Sequence, residues 1–451
     1  MQFTPALRRW LVGLTLLIVL LFAAFLWLRP LLKIGAGYAA KHACSCHFLQ
    51  KRSLVDIKEN DLNFSVLGWV TLEAGENEVR SSFLGLVPRR AQYREGVGCT
   101  LINDAAQPVA AVGSSAGAGQ VAGARVVNPA ALSAALDYAM APQPGGGTRG
   151  IVVLKDGKII AEEYAPGFDQ NTPLLGWSMT KTLTGMALGA AFNATLPPAA
   201  APAAFVEQNN LFPEVWTDSA RQQITLADLL HMNSGLAWNE AYGSLSDATI
   251  MLHEHADMAN YAYQAPAILP HGTVWNYSSG TTNILAELIE RATPEATTHE
   301  FMHQLLHNVA PSLLIEPSQA GLPVGSSYGW ATARDWARLG QFMLQDGVWN
   351  GDTLLPPGWV DWMRQPAAGS DATYGGQLWL PGPDMPDLPS DAYMMRGFQD
   401  QRVFIIPSEG LVIARLAHEQ DQVMDFAGMV EKIRAGVLTL PPQQSVPAVK
   451  N

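Results

Sequence analysis

Ser178 and Lys181, three positions apart in the sequence, are suited to nucleophilic catalysis. They lie in the segment Gly176-Trp-Ser-Met-Thr-Lys181, which runs directly into an apolar, helix-prone stretch ending at Phe192. Two residues three apart on a helix share a face, so the lysine amine can reach the serine hydroxyl. Serine is a weak nucleophile until a base takes its proton, and an apolar surround disfavours a charged ammonium. The pair therefore predicts a nucleophile, Ser178, and its base, Lys181.

A second motif, Tyr277-Ser278-Ser279, strengthens this prediction. The Ser-x-x-Lys spacing alone is a weak indicator, because it also arises from a helix cap followed by a solvated lysine. A phenol beside an ammonium is favoured as its anion, so Tyr277 can relay a proton between Ser178 and a leaving group. The alternative interpretation of the second motif is a buried aromatic residue beside a helix-capping serine.

One short segment, His253-Glu254-His255 with Asp257, raises the alternative hypothesis of a metal enzyme. The metalloprotease pattern H-E-x-x-H is not met, because position 257 holds aspartate. We interpret the segment as an exposed run of acidic residues and histidines. The sequence predicts neither a metal nor an organic cofactor.

Composition and net charge exclude several classes of function and site. The 451-residue chain is 48% hydrophobic, enough for a large core, and its formal net charge is −12. An acidic chain without a basic stripe is not expected to bind nucleic acid. Three cysteines, Cys44, Cys46 and Cys99, are too few for a disulfide scaffold and do not fit a four-ligand zinc spacing. A disulfide from Cys99 to either of the other two is possible.

The N-terminal segment, residues 1–33, predicts a membrane anchor. Residues 10–28 carry no charge, and at ~1.5 Å per residue such a helix matches the ~30 Å bilayer core. Arg8 and Arg9 precede it, which favours a cytoplasmic N-terminus. A cleaved signal peptide is the alternative, but the apolar run is longer than a typical signal core.

The secondary structure that positions Ser178, Lys181 and Tyr277 is predicted C-terminal to the membrane anchor. Residues 48–125 predict a small β-rich subdomain, with strand-like runs at 63–67 and 69–72, followed by an Ala/Gly/Ser-rich linker at 105–123. Residues 126–440 predict the main domain, and 441–451 a C-terminal tail. Main-domain hairpins are predicted at 150–154 with 159–164, and at 402–406 with 411–416. Helices are predicted at 129–141, 226–232, 282–292, 299–308, 333–345 and 425–438. The pattern is α+β, and the two hairpins are candidates for one antiparallel sheet.

The chain resembles the serine β-lactamase and penicillin-binding-protein group, specifically its class C-like branch of esterases, D-peptidases and 6-aminohexanoate-dimer hydrolases. The resemblance rests on the order and spacing of Ser178-Met-Thr-Lys181, Tyr277-Ser-Ser279 and Arg396-Gly397-Phe398. It implies a β-lactamase/transpeptidase-like fold, in which an antiparallel sheet is flanked by helices and carries an inserted, mostly helical region.

The resemblance also implies roles for residues of this chain. Ser178 would be the nucleophile, Lys181 its base, and Tyr277 the proton donor to the leaving group and the activator of water. The backbone N–H groups of Ser178 and Phe398 would form the oxyanion hole. Gly397 would allow the backbone to approach the substrate closely.

Departures from the family pattern bear on the substrate. Ser279 stands where the family often has asparagine, and Met395 stands where β-lactam-handling relatives carry lysine or histidine. Both changes favour an ester or amide substrate that is not a β-lactam. Arg396 is either a partner for a substrate carboxylate or a member of a structural ion pair. For five aromatic residues near the presumed cleft, core packing is the favoured role: Trp177, Trp238, Trp275, Tyr374 and Trp379.

The expected function is hydrolysis of a small-molecule or peptide-like substrate through an acyl-enzyme. A D-peptidase or β-lactamase of the same group is one alternative, and a catalytically inactive, membrane-tethered binding protein is another. We expect a single-pass protein of a bacterial inner membrane, with its catalytic domain facing the periplasm or the cell exterior.

Overall fold

The computed structural model describes residues 5–103, 109, 129–194, 202–383, 385–419 and 423–438. Apart from Val109, the linker predicted at 105–123 lies outside the described residues, and so does the predicted tail 441–451. The chain forms two compact units. The first consists of Met1–Arg94, Cys99–Val109 and Asn239–Ala256, and the second of Glu95–Gly98, Ala110–Trp238 and Asp257–Asn451.

The described residues of the two units form the following helices and strands. The helices are α1 Pro5–Leu49, α2 Leu54–Asn60, α3 Ala130–Met140, α4 Thr180–Ala194, α5 Ala203–Val206, α6 Ser219–Gln222, α7 Leu226–Leu230, α8 Asp247–Glu254, α9 Met258–Tyr263, α10 Ser279–Ala292, α11 Thr298–Leu306, α12 Ala333–Leu344, α13 Trp359–Met363 and α14 Phe426–Leu438. The strands are β1 Val70–Ala74, β2 Glu78–Phe83, β3 Leu86–Arg94, β4 Gly98–Leu101, β5 Gly147–Lys155, β6 Lys158–Tyr164, β7 Leu174–Leu175, β8 Leu314–Ile315, β9 Gly329–Ala331, β10 Val348–Trp349, β11 Asp352–Thr353, β12 Tyr393–Gly397, β13 Gln401–Ile406 and β14 Leu411–His418.

The first unit is built on α1 and a four-stranded sheet with the order β1-β2-β3-β4. The helix does not end near residue 33 but continues to Leu49, and its second half is mostly buried. A disulfide joins Cys44 on this half to Cys99 on β4, which resolves the pairing that the sequence left open. The predicted strand at 63–67 is wrong. Ser65 has a φ of 51°, and the Leu67 amide donates to the Phe64 carbonyl, so the chain turns there instead of extending.

Residues Asn239–Ala256 also belong to the first unit, and they correct the interpretation of the histidine run as exposed. His253 lies on α8 and is only 4% exposed. The Glu254 carboxylate accepts a hydrogen bond from Arg89 at 3.0 Å and is also paired with Lys33. Pairing with two cations makes this carboxylate a structural group of the unit.

The second unit contains a five-stranded antiparallel sheet with the order β12-β13-β14-β5-β6. Both predicted hairpins are present, and the pairing of β14 with β5 joins them into this one sheet, as expected. A buried core packs α3 and α14 against one face through residues such as Leu136, Ile433 and Phe404. On the other face α12 packs so closely that a Cβ at Gly340 would lie 2.7 Å from Val412. The predicted α+β class, with an antiparallel sheet flanked by helices, is confirmed.

Candidate active site

Ser178 lies in a single 3₁₀ turn, Trp177–Met179, that leads directly into α4. The predicted position at a helix start is therefore confirmed. Trp177 has a φ of 47°, in the left-handed region that non-glycine residues seldom adopt. Its indole N–H donates to Gln399 at 3.1 Å, and its carbonyl accepts from the Thr180 hydroxyl at 2.7 Å. These contacts fix the strained residue immediately before the half-buried serine.

Lys181 lies in the first turn of α4 and is only 1% exposed. Its Nζ atom lies 3.0 Å from the Oγ of Ser178 and 2.9 Å from the Oγ of Ser279. It also lies 3.0 Å from the carbonyl oxygen of Ser326. The structure thus brings the two predicted residues into hydrogen-bond contact and adds two oxygen atoms around the amine.

This arrangement suits an amine that accepts a proton. A neutral amine has two N–H donors and one lone pair. The oxygens of Ser279 and Ser326 can accept from the two donors, which leaves the lone pair for the hydroxyl proton of Ser178. Burial adds to this preference, because removing a charged ammonium from water costs more than removing a neutral amine. Three of the polar atoms around Lys181 are hydroxyl or carbonyl oxygens, partners that suit proton transfer.

Tyr277 contacts the same amine through its ring, whose centroid lies 4.8 Å from the Nζ of Lys181. The ring is half-buried and packs with three other aromatic residues. Its centroid lies 5.4 Å from that of Trp379, 5.7 Å from that of Tyr374 and 6.3 Å from that of Trp275. The third predicted site residue therefore lies beside the first two, in an aromatic wall.

The two serines after Tyr277 have different roles. Ser278 is the N-cap of α10, and its Oγ accepts a hydrogen bond from the Thr281 amide at 2.9 Å. Ser279 is the first residue of that helix, and its buried side chain is directed at Lys181. The helix thus starts three residues before the predicted 282, because the cap is the middle residue of the motif.

The third motif lies on β12, the edge strand of the sheet, beside the turn that holds Ser178. A Cβ at Gly397 would lie 2.1 Å from the carbonyl oxygen of Gly176, so only glycine fits at this close approach. The ring of Phe398 makes an edge contact with Trp177, at 5.8 Å between centroids. The Gly397–Phe398 backbone therefore runs beside the turn that holds Ser178, where the resemblance implies an oxyanion hole.

Arg396 extends over the ring of Trp379, with 4.4 Å from its guanidinium carbon to the ring centroid. Met395 is completely buried, so the cationic position of β-lactam-handling relatives is occupied by a core side chain. Trp238 does not belong to the aromatic wall. It packs near Gly280, where an added Cβ would lie 2.5 Å from its ring, and against Tyr261.

Sequence reasoning missed three residues that build the site. Ser326 contributes only its backbone carbonyl, which no side-chain pattern reveals. Gln377 has a φ of 62°, and its side chain bonds Thr282 at 2.7 Å and the Leu230 carbonyl at 2.9 Å. Gln399 holds Trp177. The turn-favouring Gln-Asp pair between β12 and β13 was the one available signal for Gln399.

Comparisons with known proteins identify the family of the chain. The family model described as Beta-lactamase matches residues 136–437. The 6-aminohexanoate-dimer hydrolase of Paenarthrobacter ureafaciens is 24% identical over 304 residues, covering 61% of this chain and 73% of that protein. A penicillin-binding-protein homologue from Caulobacter crescentus is 16% identical, with a TM-score of 0.53 over 70% of this chain and 99% of its own. A family VIII carboxylesterase gives a TM-score of 0.53 at 14% identity, over the same 70% and 99%. The match to the family model covers more than half of the chain. The chain therefore belongs to the Beta-lactamase family of serine hydrolases.

Proposed function

We propose that the chain hydrolyses an ester or amide bond through an acyl-enzyme on Ser178. The observation that carries the proposal is the 3.0 Å contact between the Nζ of Lys181 and the Oγ of Ser178, made by a buried lysine to a half-buried serine. A nucleophile and base within hydrogen-bond reach are the requirement for this chemistry.

The proposed reaction has two halves. Ser178 loses its proton to Lys181 and attacks the carbonyl carbon, and the resulting oxyanion is held by the N–H groups of Ser178 and Phe398. The C–O or C–N bond then breaks, and Tyr277 protonates the leaving group. Tyr277, now a phenolate, takes a proton from water as the water attacks the acyl-enzyme. The ester bond to Ser178 then breaks, Lys181 returns its proton to the serine oxygen, and the acid is released. The ring centroid of Tyr277 lies 4.8 Å from the Lys181 amine, so the two proposed proton carriers are neighbours.

The proposed substrate is a small or peptide-like ester or amide rather than a β-lactam. Burial of Met395 leaves no cation at the position used by β-lactam-handling relatives. The similarity to a 6-aminohexanoate-dimer hydrolase and to a carboxylesterase fold points in the same direction. We propose Arg396, Gly397 and Ser279 as substrate-side groups, with Arg396 oriented by Trp379.

A membrane location is proposed for α1. Its apolar window has a mean hydropathy of 2.8 and is entirely exposed. The strand end that pairs Val70 with Phe83 places exposed Trp69 and Leu84 side by side. The Phe83 ring lies beside Gly35, where an added Cβ would be 3.3 Å from it. Gly35 is only ~10 Å along the helix from residue 28, at ~1.5 Å per residue. Trp69 and Leu84 thus suit the interfacial layer of the same membrane.

We propose that the rest of the chain faces the periplasm or exterior of a bacterial cell. The disulfide between Cys44 and Cys99 fits an oxidising compartment. External protease added to spheroplasts should then degrade a C-terminal tag while an N-terminal tag stays protected. The reverse protection pattern would contradict the orientation.

Steady-state kinetics of the full-length protein test the substrate proposal. The panel consists of p-nitrophenyl esters, linear amide dimers, a D-alanyl-D-alanine peptide and a chromogenic cephalosporin. We expect turnover of an ester or linear amide that is lost in Ser178→Ala. Turnover confined to the peptide or the cephalosporin would favour the cell-wall or β-lactamase alternative, and binding without turnover of any member would favour an inactive binding protein.

A further inference from the structure

A second cluster of chemically competent side chains lies in the first unit. His42 and Cys46 are four residues apart on α1 and share one face of the helix. Asp61, the C-cap residue of α2, brings its carboxylate to this face. All three side chains are buried, with at most 5% of each residue exposed.

The three donor atoms converge on one point. The Nε2 of His42 lies 3.0 Å from the Oδ2 of Asp61 and 3.4 Å from the Sγ of Cys46. The Sγ lies 3.7 Å from the same Oδ2. Tetrahedral zinc, with bonds of about 2.0–2.3 Å to nitrogen, oxygen and sulfur, places its ligand atoms roughly 3.3–3.6 Å apart. The observed separations lie close to that spacing.

Neighbouring groups hold two of these side chains in place. Arg52 donates to both oxygens of Asp61, at 2.8 and 2.9 Å. Tyr38 stacks on the ring of His42 with a centroid distance of 5.6 Å. Hydrogen bonds and packing from an outer layer are what orient metal ligands and keep their geometry fixed.

We propose that His42, Cys46 and Asp61 bind a zinc ion that joins the end of α1 to α2. On binding, the Cys46 thiol loses its proton to solvent and the thiolate sulfur becomes a ligand, together with the imidazole nitrogen and one carboxylate oxygen. A further donor completes the coordination. The site is structural, and it is independent of the function proposed for Ser178.

The competing interpretation is a metal-free hydrogen-bond network in which Cys46 and His42 both donate to Asp61. In that case the Oδ2 atom would accept from three donors at once, because Arg52 also donates to it. Metal coordination relieves this crowding at the Oδ2 atom, since it converts the thiol and the imidazole from donors to ligands.

Metal analysis of the full-length protein, purified in detergent without a histidine tag, tests the proposal. We expect one zinc per chain. Replacement by Co²⁺ should give the visible bands of a tetrahedral site and a near-ultraviolet thiolate charge-transfer band. Cys46→Ser should abolish that charge-transfer band, whereas Ser45→Ala, a buried neighbour outside the ligand set, should retain it.

Folding must be monitored separately, and far-ultraviolet circular dichroism with a cooperative thermal unfolding transition serves this purpose. If Cys46→Ser fails to fold, the wild-type cobalt spectrum still decides. Wild-type protein that is folded by this criterion but holds no zinc, and shows no thiolate-to-cobalt band after loading, would overturn the proposal. So would a cobalt spectrum unchanged in folded Cys46→Ser.

Discussion

Ser279 accepts a hydrogen bond from the amine of Lys181 at 2.9 Å, and the ring centroid of Tyr277, two residues earlier, lies 4.8 Å from the same amine. The family resemblance suggested a substrate-side role for this serine, because asparagine is frequent there. The structure adds a contact with the proposed base itself. Ser279 and the Ser326 carbonyl together orient the amine towards Ser178.

Ser279→Ala removes one of the oxygens that orient Lys181. Losing one hydrogen-bond partner of a buried polar group costs ~1–3 kcal/mol, so we expect kcat to fall by about 10- to 100-fold. The matched control is Ser278→Ala, which removes the helix cap. It should lower stability by ~1 kcal/mol and leave kcat within a few-fold of wild type. Equal kcat values for the two variants would contradict a positioning role for Ser279.

Gly397→Ala introduces a Cβ at 2.1 Å from the carbonyl oxygen of Gly176. The strand must move away from the nucleophile's turn, and losing oxyanion-hole geometry typically costs about 10²–10³ in rate. We expect such a loss in the acylation rate, measured by stopped-flow with an activated ester. Gly243→Ala is the control, because nothing lies within 4 Å of its added Cβ. Normal acylation in Gly397→Ala would exclude this strand from the oxyanion hole.

His253 makes stability depend on pH. Burial, with the positive charges of Arg89 and Lys41, lowers its pKa to about 3, against ~6.5 in an unfolded chain. As pH falls, the imidazole of the unfolded chain binds a proton before that of the folded chain does. The free energy of unfolding is therefore unaffected by His253 above pH ~6.5. The free energy of unfolding decreases as pH falls from ~6.5 towards 3, by up to ~1.4 kcal/mol per pH unit.

Thermal unfolding of the wild type and of His253→Gln between pH 4 and 7.5 measures this effect. The wild-type Tm should drop more steeply on acidification than that of the variant, which has no imidazole to protonate. Parallel curves for the two proteins would show that His253 is not the group responsible.

Arg396 tests how the substrate is recognised. A charge-assisted hydrogen bond contributes ~1.5–3 kcal/mol, so Arg396→Gln should raise KM about 10-fold or more for a substrate with a terminal carboxylate. The uncharged ester of the same acyl group should be hardly affected. If KM rises equally for both substrates, Arg396 supports the aromatic wall through Trp379 instead of binding the carboxylate.

The parts of the fold that sequence predicted were those set by local pattern. The hairpin around Asp156-Gly157 was predictable because turn residues between two apolar runs specify it. Ser178 and Lys181 were predictable because a three-residue spacing fixes their relation within one helix start. Both depend only on neighbours in the chain.

Long-range contacts account for what was missed. His253 was assigned to the surface because its neighbours are polar, yet α1 and β3 of the same unit bury it beside Gly37 and Arg89. The end of α1 at Leu49 was not predicted, because its second half packs against the sheet of the first unit, whose strands come later in the chain. The Ser326 carbonyl has no sequence signature at all.

The most direct test of the central claim is intact-mass analysis of the full-length protein after reaction with a fluorophosphonate or a slowly hydrolysed ester. We expect one adduct per chain, mapped by peptide sequencing to Ser178, absent in Ser178→Ala and formed much more slowly in Lys181→Met. Folded wild-type protein that forms no adduct, or an adduct that persists in Ser178→Ala, would contradict an acyl-enzyme on Ser178.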